Sequence, residues 1–334
     1  MKFIEIDSKE QKQILQQVQI HTDLDMQVIE KDWWVTQVLH ALFSLHYAAN
    51  LSFKGGTSLS KCYNLIERFS EDVDIAVNRD FLGYGGELSK TQISDKLRRA
   101  SCSFVRNNLQ YDLKKQLELQ DISDQYFSVK VNNTPISTTD PEIIELIYQS
   151  SLKKVNYVNN MVKIEVSGRS MNVPTQIVEI NSLIDSTFPE AIFTEKPFSI
   201  CVVTPHRTFI EKLCLLHEEF AKPAANIRSE RMSRHLYDVC QIANTPISEE
   251  ALSDKELYNA VIDHRRRFIG LQDFDYATLK PQMLNIIPPN NVLQLWKEDY
   301  TKMQQTMIYG NSLSFEELMK RIVELNRYIN AIDW

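Results

Sequence analysis

Residues 53–77 constrain the fold of this chain more than any other stretch. Phe53-Lys54-Gly55-Gly56-Thr57-Ser58-Leu59-Ser60 reads as a strand end, a double-glycine turn and a helix start. Arg68-Phe69-Ser70-Glu71-Asp72-Val73-Asp74 then leads into a second strand. Along a strand, residues i and i+2 point to the same face, so Asp72 and Asp74 converge, with apolar Val73, Ile75 and Val77 around them. Two carboxylates held together repel unless a cation lies between them, and Mg²⁺ prefers oxygen ligands while sharing its shell with phosphates. Paired glycines let a phosphate chain approach the backbone closely. A helix opening at Thr57-Ser58 offers that chain N–H groups and a hydroxyl. The pattern therefore predicts divalent-metal phosphoryl chemistry on a nucleoside triphosphate. Glycine is otherwise scarce, and Gly55-Gly56 takes two of only 8 in the chain.

A length of 334 residues allows two domains of ordinary size. With 43% hydrophobic and 24% charged residues the composition is globular. No apolar run approaches the ~20 residues that span a bilayer, and the N-terminal residues lack the apolar core of a secretory signal. A cytoplasmic protein with no membrane partner is expected. The five cysteines, Cys62, Cys102, Cys201, Cys214 and Cys240, are scattered and never form a CxxC pair. They read as free thiols in a reducing compartment, not as a zinc site or a disulfide framework. A net charge of −7 argues against a uniformly basic nucleic-acid binder. It leaves Arg98-Arg99, Lys114-Lys115, Lys153-Lys154 and Arg265-Arg266-Arg267 as local candidates for a polyanion, most of all the run from His264 to Phe268.

The first 50 residues read as helical, with Asp25 or Asp32 able to cap the helix that carries Trp33, Val38, Leu39 and Leu42. Trp33-Trp34 reads as one core and one half-exposed residue. A polar helical region follows from Leu88 to Leu119. From Tyr126 the pattern shifts to short strands around residues 127–131, 143–147, 161–166, 176–180 and 198–203. Thr204-Pro205 stops the last of them and starts a helix, because proline suits a first helical turn. Helices are then expected at 206–220, 229–242, 253–268, 292–307 and 314–329. The predicted fold class is α/β, of the α+β type. A catalytic domain with a mixed sheet and N-terminal helices covers 1–203, and a mainly helical domain covers 204–334.

The GGTSLSK…RFSEDVD pattern resembles the first motif of the AbiEii/AbiGii toxin family, within the nucleotidyltransferase superfamily built on the DNA polymerase β fold. The resemblance implies Asp72 and Asp74 as metal ligands and Gly55, Gly56 and Ser58 as triphosphate contacts. Thr57 intervenes where many superfamily members have Gly-Ser directly, so either hydroxyl, Thr57 or Ser58, is a candidate. Lys163-Ile164-Glu165-Val166-Ser167 resembles the second motif. By alternation Lys163, Glu165 and Ser167 share a face, and the resemblance makes Glu165 the third metal carboxylate, with Glu179 as its competitor. Thr204-Pro205 through Lys212-Leu213 resembles the third motif, implying that Lys212 meets the triphosphate as a point charge. Arg234-His235-Leu236-Tyr237-Asp238-Val239 resembles the fourth, with His235 where an aspartate is more usual. There Asp238 either orients Lys212 or a metal-bound water, or simply pairs with Arg234 one helical turn away.

The resemblance implies a Mg²⁺- or Mn²⁺-dependent nucleotidyltransferase that moves a nucleoside monophosphate from NTP to a macromolecular hydroxyl, with RNA or tRNA as acceptor. It further implies a toxin of a bacterial toxin–antitoxin or abortive-infection phage-defence system with a cognate antitoxin. The other readings are an NTP-binding regulator without turnover and a small-molecule, antibiotic-type nucleotidyltransferase.

Overall fold

The computed structural model describes residues 1–70, 72–131, 140–152 and 160–334. Glu71 and Lys153-Lys154 lie outside the described residues. The chain divides into two compact units, one of Met1–Cys62 with Ser70–Val203 and one of Tyr63–Phe69 with Thr204–Trp334.

The first unit begins with α1 (Ser8–Thr22) and α2 (Met26–Phe43). Asp25 caps α2 by accepting from the Gln27 N–H, whereas Asp32 accepts from Lys61 and from the Leu183 N–H. Then come β1 (Leu51–Lys54), α3 (Gly55–Lys61) and β2 (Asp72–Val77). A helical run over residues 92–119 contains α4 (Arg98–Phe104) and α5 (Gln110–Leu119). It is followed by β3 (Phe127–Val131), β4 (Glu142–Tyr148), β5 (Met161–Ser167), β6 (Thr175–Ile180), the short α6 (Leu183–Thr187) and β7 (Phe198–Val203). The described strands form one seven-stranded sheet in the order β3-β4-β5-β2-β1-β7-β6. β2 runs parallel to β5 and β1 parallel to β7, and the other neighbours are antiparallel, so the sheet is mixed as expected.

Alternation drives the packing of these strands. Val73, Ile75, Ile164, Val166, Ile144 and Leu146 are fully buried, while Asp72, Asp74, Lys163 and Glu165 lie on the opposite, half-open side. α2 packs on β5 and β7, and its Trp33, Trp34, Val38 and Leu42 are buried. Both tryptophans are fully buried, and Trp34 stacks on Tyr148 with ring centroids 5.1 Å apart. The expected half-exposed member of the pair is therefore absent, because α2 is enclosed on more than one side.

The second unit is built from α7 (Pro205–Phe220), α8 (Ser233–Ala243), α9 (Pro246–Ser253), α10 (Lys255–His264), α11 (Leu293–Thr306) and α12 (Phe315–Asn330). Pro205 occupies the first turn of α7. Ser314 and Glu317 close a capping box on α12. The core gathers Phe209, Leu213, Leu236, Val239, Trp296, Leu318 and Ile322. Tyr63–Phe69 docks onto it as an extended clip. Phe69 donates its N–H to Met307 (2.7 Å), Tyr309 donates its N–H to Glu67 (3.1 Å), and the Glu67 N–H donates to the Tyr237 hydroxyl (3.2 Å). The five cysteines are free thiols. Among the described residues no helix is long and apolar enough to cross a membrane.

Candidate active site

In the first unit the sheet sets five charged side chains side by side. Parallel pairing of β2 with β5 places Asp72 opposite Lys163 and Asp74 opposite Glu165, while β1 places Lys54 opposite Asp74. Paired residues in adjacent strands carry their side chains on the same face, about 4.8 Å apart. Glu165 is thus the immediate neighbour of the aspartate pair. Glu179 lies on β6, with β1 and β7 between it and β2. The Lys163 ammonium donates to the Glu165 carboxylate. Burial alone would lower the Lys163 pKa, but Glu165, then Asp72 and Asp74, hold it above its ordinary value. Among the described residues no three acid, histidine or cysteine side chains stand together as a metal-binding group.

The glycine turn is shaped around Asp74. Gly55 has φ +83°, in the left-handed region, and a Cβ there would lie 2.0 Å from Asp74 Oδ2. The carboxylate therefore occupies space that only glycine leaves open. Gly56, Thr57 and Ser58 continue into α3, whose N-cap, Lys54, supplies no side-chain cap. The Thr57 hydroxyl donates to the Asp72 carbonyl and the Ser58 hydroxyl to the Gly55 carbonyl at 2.9 Å, and both residues are buried. Both hydroxyls thus brace the turn, joining it to the strand that carries the aspartates. Gly55→Ala is expected to destabilise the protein by about 1–3 kcal/mol through backbone strain and to displace Asp74, with nucleotide transfer lost. Thermal unfolding beside a transfer assay checks this, and a wild-type profile in both would count against the close approach.

The second unit holds a buried cluster of charges. Arg68, on the clip, donates from Nε and Nη2 to the two Asp238 oxygens at 2.6 and 2.7 Å. Lys212 Nζ lies 2.8 Å from Asp238 Oδ2 and 3.4 Å from His235 Nδ1. Arg68 is 2% exposed and Asp238 0%. Burial would raise the Asp238 carboxyl, but Arg68 and then Lys212 hold it below its usual range. Burial lowers Lys212, and Asp238 only partly offsets this against Arg68 and Arg234. Burial, then Lys212 and Arg234, keep the His235 ring well below its ordinary pKa, so at neutral pH it can accept from Lys212.

The structure thus brings Lys212 and Asp238 together in the second unit and sets Asp72, Asp74 and Glu165 on one face in the first. The helical pair between Arg234 and Asp238 does not form. Asp238 turns to Arg68 and Lys212, and the buried Nε of Arg234 meets no hydrogen-bond partner. Glu211, beside Lys212 in sequence, pairs with Arg207 at 2.9 Å. His206, which received no role from the sequence, lies 2.7 Å from Glu250. Members of the basic clusters also pair with nearby acids. Arg99 pairs with Asp95 and Lys114 with Asp124; in the run from His264 to Phe268, the foremost polyanion candidate, Arg265 is mostly buried against Glu218 while Arg266 and Arg267 are exposed. Sequence reasoning assigned no role to Arg68, Lys54 or Lys163. Alternation with Glu165 was the available signal for Lys163, whereas nothing local pairs Arg68 with a residue 170 positions away.

The chain matches the model of the nucleotidyl transferase AbiEii toxin family, type IV toxin–antitoxin system, over residues 37–321. It belongs to the AbiEii family. This AbiEii protein is accordingly a nucleotidyltransferase of a family of type IV toxin–antitoxin toxins. Its fold is similar to that of MenT4, a nucleotidyltransferase toxin from Mycobacterium tuberculosis, with a TM-score of 0.52 at 16% identity over 96% of this chain and 90% of that one. A Helicobacter pylori protein assigned as a nucleotidyltransferase aligns with a TM-score of 0.45 at 14% identity, covering 92% of the AbiEii chain and 96% of its own. JHP933 from Helicobacter pylori aligns at 0.38 and 15% identity, covering 92% and 98%. No curated protein sequence matches the AbiEii chain.

Proposed function

We propose that this protein transfers a nucleoside monophosphate from NTP to a hydroxyl of RNA, with tRNA as the leading acceptor, and releases pyrophosphate. The observation that carries the reading is the Asp72–Asp74 pair on one sheet face with the Asp74 carboxylate seated against Gly55. The donors on this face, two carboxylates with a third in register that is engaged by Lys163, are all oxygen, the atom type that Mg²⁺ takes, and Mn²⁺ in its place. Asp72, Asp74 and Glu165 would hold the metal, which when bound neutralises phosphate charge and lowers the pKa of the attacking hydroxyl.

The remaining roles fall to the chain itself. Gly55 and Gly56 let the triphosphate approach the backbone, and the Thr57 and Ser58 hydroxyls keep the turn in that shape. In the second unit Lys212 stands as a buried point charge. Asp238 fixes its ammonium by one hydrogen bond and is itself fixed by Arg68. Holding such charges in place before the reaction is what lowers the barrier as phosphate charge develops. Family membership supports growth inhibition relieved by a cognate antitoxin.

One observation favours a second reading, transfer to a protein or small-molecule hydroxyl. Arg98, Arg99, Lys114, Arg265 and Arg266 are each paired with acids of their own unit, which leaves them less charge for a polyanion. The deciding assay incubates the protein with Mg²⁺, each α-³²P-labelled NTP in turn and total cellular RNA, beside Asp72→Ala/Asp74→Ala. Label in RNA only with the intact aspartates is the expected result and names the base. NTP binding with no label in RNA would move the acceptor to a protein or small molecule, or make the protein a regulator without turnover.

A further inference from the structure

The carboxylate face carries its own cation. Asp72, Asp74 and Glu165 share their face with Lys163, which stands opposite Asp72 across the β2–β5 ladder and two residues before Glu165. Its ammonium donates directly to Glu165. Glu145, on the far side of Lys163 in the β4–β5 ladder, is paired with Lys130 at 3.1 Å. Three carboxylates and two ammoniums, Lys163 and the Lys54 that stands opposite Asp74 on β1, leave one net negative charge where a divalent cation would bind. Without Lys163 there would be two.

We infer that Lys163 is a built-in counter-ion that competes with the divalent metal for the Asp72–Asp74–Glu165 face, so that metal binding requires its ammonium to swing away from Glu165. This rests on the reading of that face as the metal site. The side chain is suited to the exchange. Its charge sits on a flexible four-carbon stem, and the side chains of the pair are 33% and 23% exposed, so the ammonium has a route to water. A partly exposed pair of this kind is weak, which makes it displaceable. While in place it balances acids that would otherwise repel one another in the absence of metal. It also occupies the Glu165 carboxylate, so Glu165 becomes a metal ligand only after Lys163 lets go.

The test is Mn²⁺ binding to the full-length protein, followed by electron paramagnetic resonance of the free ion without nucleotide or acceptor. Four proteins are compared: wild type, Lys163→Met, Lys163→Arg and Asp72→Asn/Asp74→Asn, with folding confirmed by circular dichroism. Lys163→Met is expected to bind Mn²⁺ about 3- to 10-fold more tightly than wild type, the scale of removing one nearby, partly screened positive charge. Lys163→Arg keeps the charge and should stay within about 2-fold of wild type on the same argument. Equal or weaker Mn²⁺ binding by Lys163→Met, with wild-type binding still dependent on the aspartates, would overturn the competition and leave the metal site standing. Wild-type binding unchanged by Asp72→Asn/Asp74→Asn would instead remove the metal reading itself, and the inference with it.

Discussion

Asp238→Ala is expected to destabilise the second unit by about 3–5 kcal/mol, the cost of leaving a buried charge without its partner. Arg68 is 2% exposed and gives two hydrogen bonds to Asp238, so truncation strands a guanidinium in a nearly dry interior. Lys212 loses its carboxylate at the same time. Against a total of about 5–15 kcal/mol for an ordinary domain, this is a large fraction. Asp238→Asn keeps the shape and one acceptor and should cost less. The double variant Arg68→Met/Asp238→Leu should cost less than Asp238→Ala alone, because it strands no charge at Arg68.

The pH dependence has a definite sign. The Asp238 carboxyl lies below its unfolded value, so its contribution is full above the ordinary carboxylate pKa of about 3.9 and drains as pH falls below that. The gap between wild type and Asp238→Ala should therefore narrow in acid. Urea unfolding of the three variants checks the ranking, and an Asp238→Ala protein within 1 kcal/mol of wild type would show that the cluster is not held by its charges.

Asp72→Asn/Asp74→Asn should give the opposite signature. Nucleotide transfer is expected to fall by at least about 10³-fold, since the charges that would hold a metal and balance phosphate are gone. Stability should stay nearly level, because the lost repulsion between two half-exposed like charges on one strand face is offset by their lost attraction to Lys163. One aspartate is built into the second unit's core, and the other two are held for what they bind. Label incorporation and thermal unfolding on the same preparation separate the two cases. A double variant that loses stability along with transfer would mean that the pair is structural.

Much of this was legible before any coordinates. Strand limits came within one or two residues because alternation of buried and open side chains repeats every second position, and Thr204-Pro205 marked the start of α7. The short α6 and α9 were missed, since neither is long enough to show a helical period. Trp34 was misjudged because sequence shows the stripe on a helix but not how many neighbours enclose it. Nor did the sequence show which arginine of the 265–267 run turns to the buried Glu218, since a run of like residues does not reveal which of them faces a partner.

The sequence by itself determined the chemistry on offer, namely a glycine turn, two acids on one strand face and a lysine with a later aspartate. These are local facts, governed by backbone geometry over a few residues. Only the tertiary structure decided which charges are neighbours. Strand order put Glu165 beside the aspartates and Glu179 three strands away, register put Lys163 opposite Asp72, and the docking of Tyr63–Phe69 gave Asp238 to Arg68 instead of Arg234. Electrostatic pairing depends on distances of a few ångströms, and in a folded chain those are set by contacts between residues far apart in sequence.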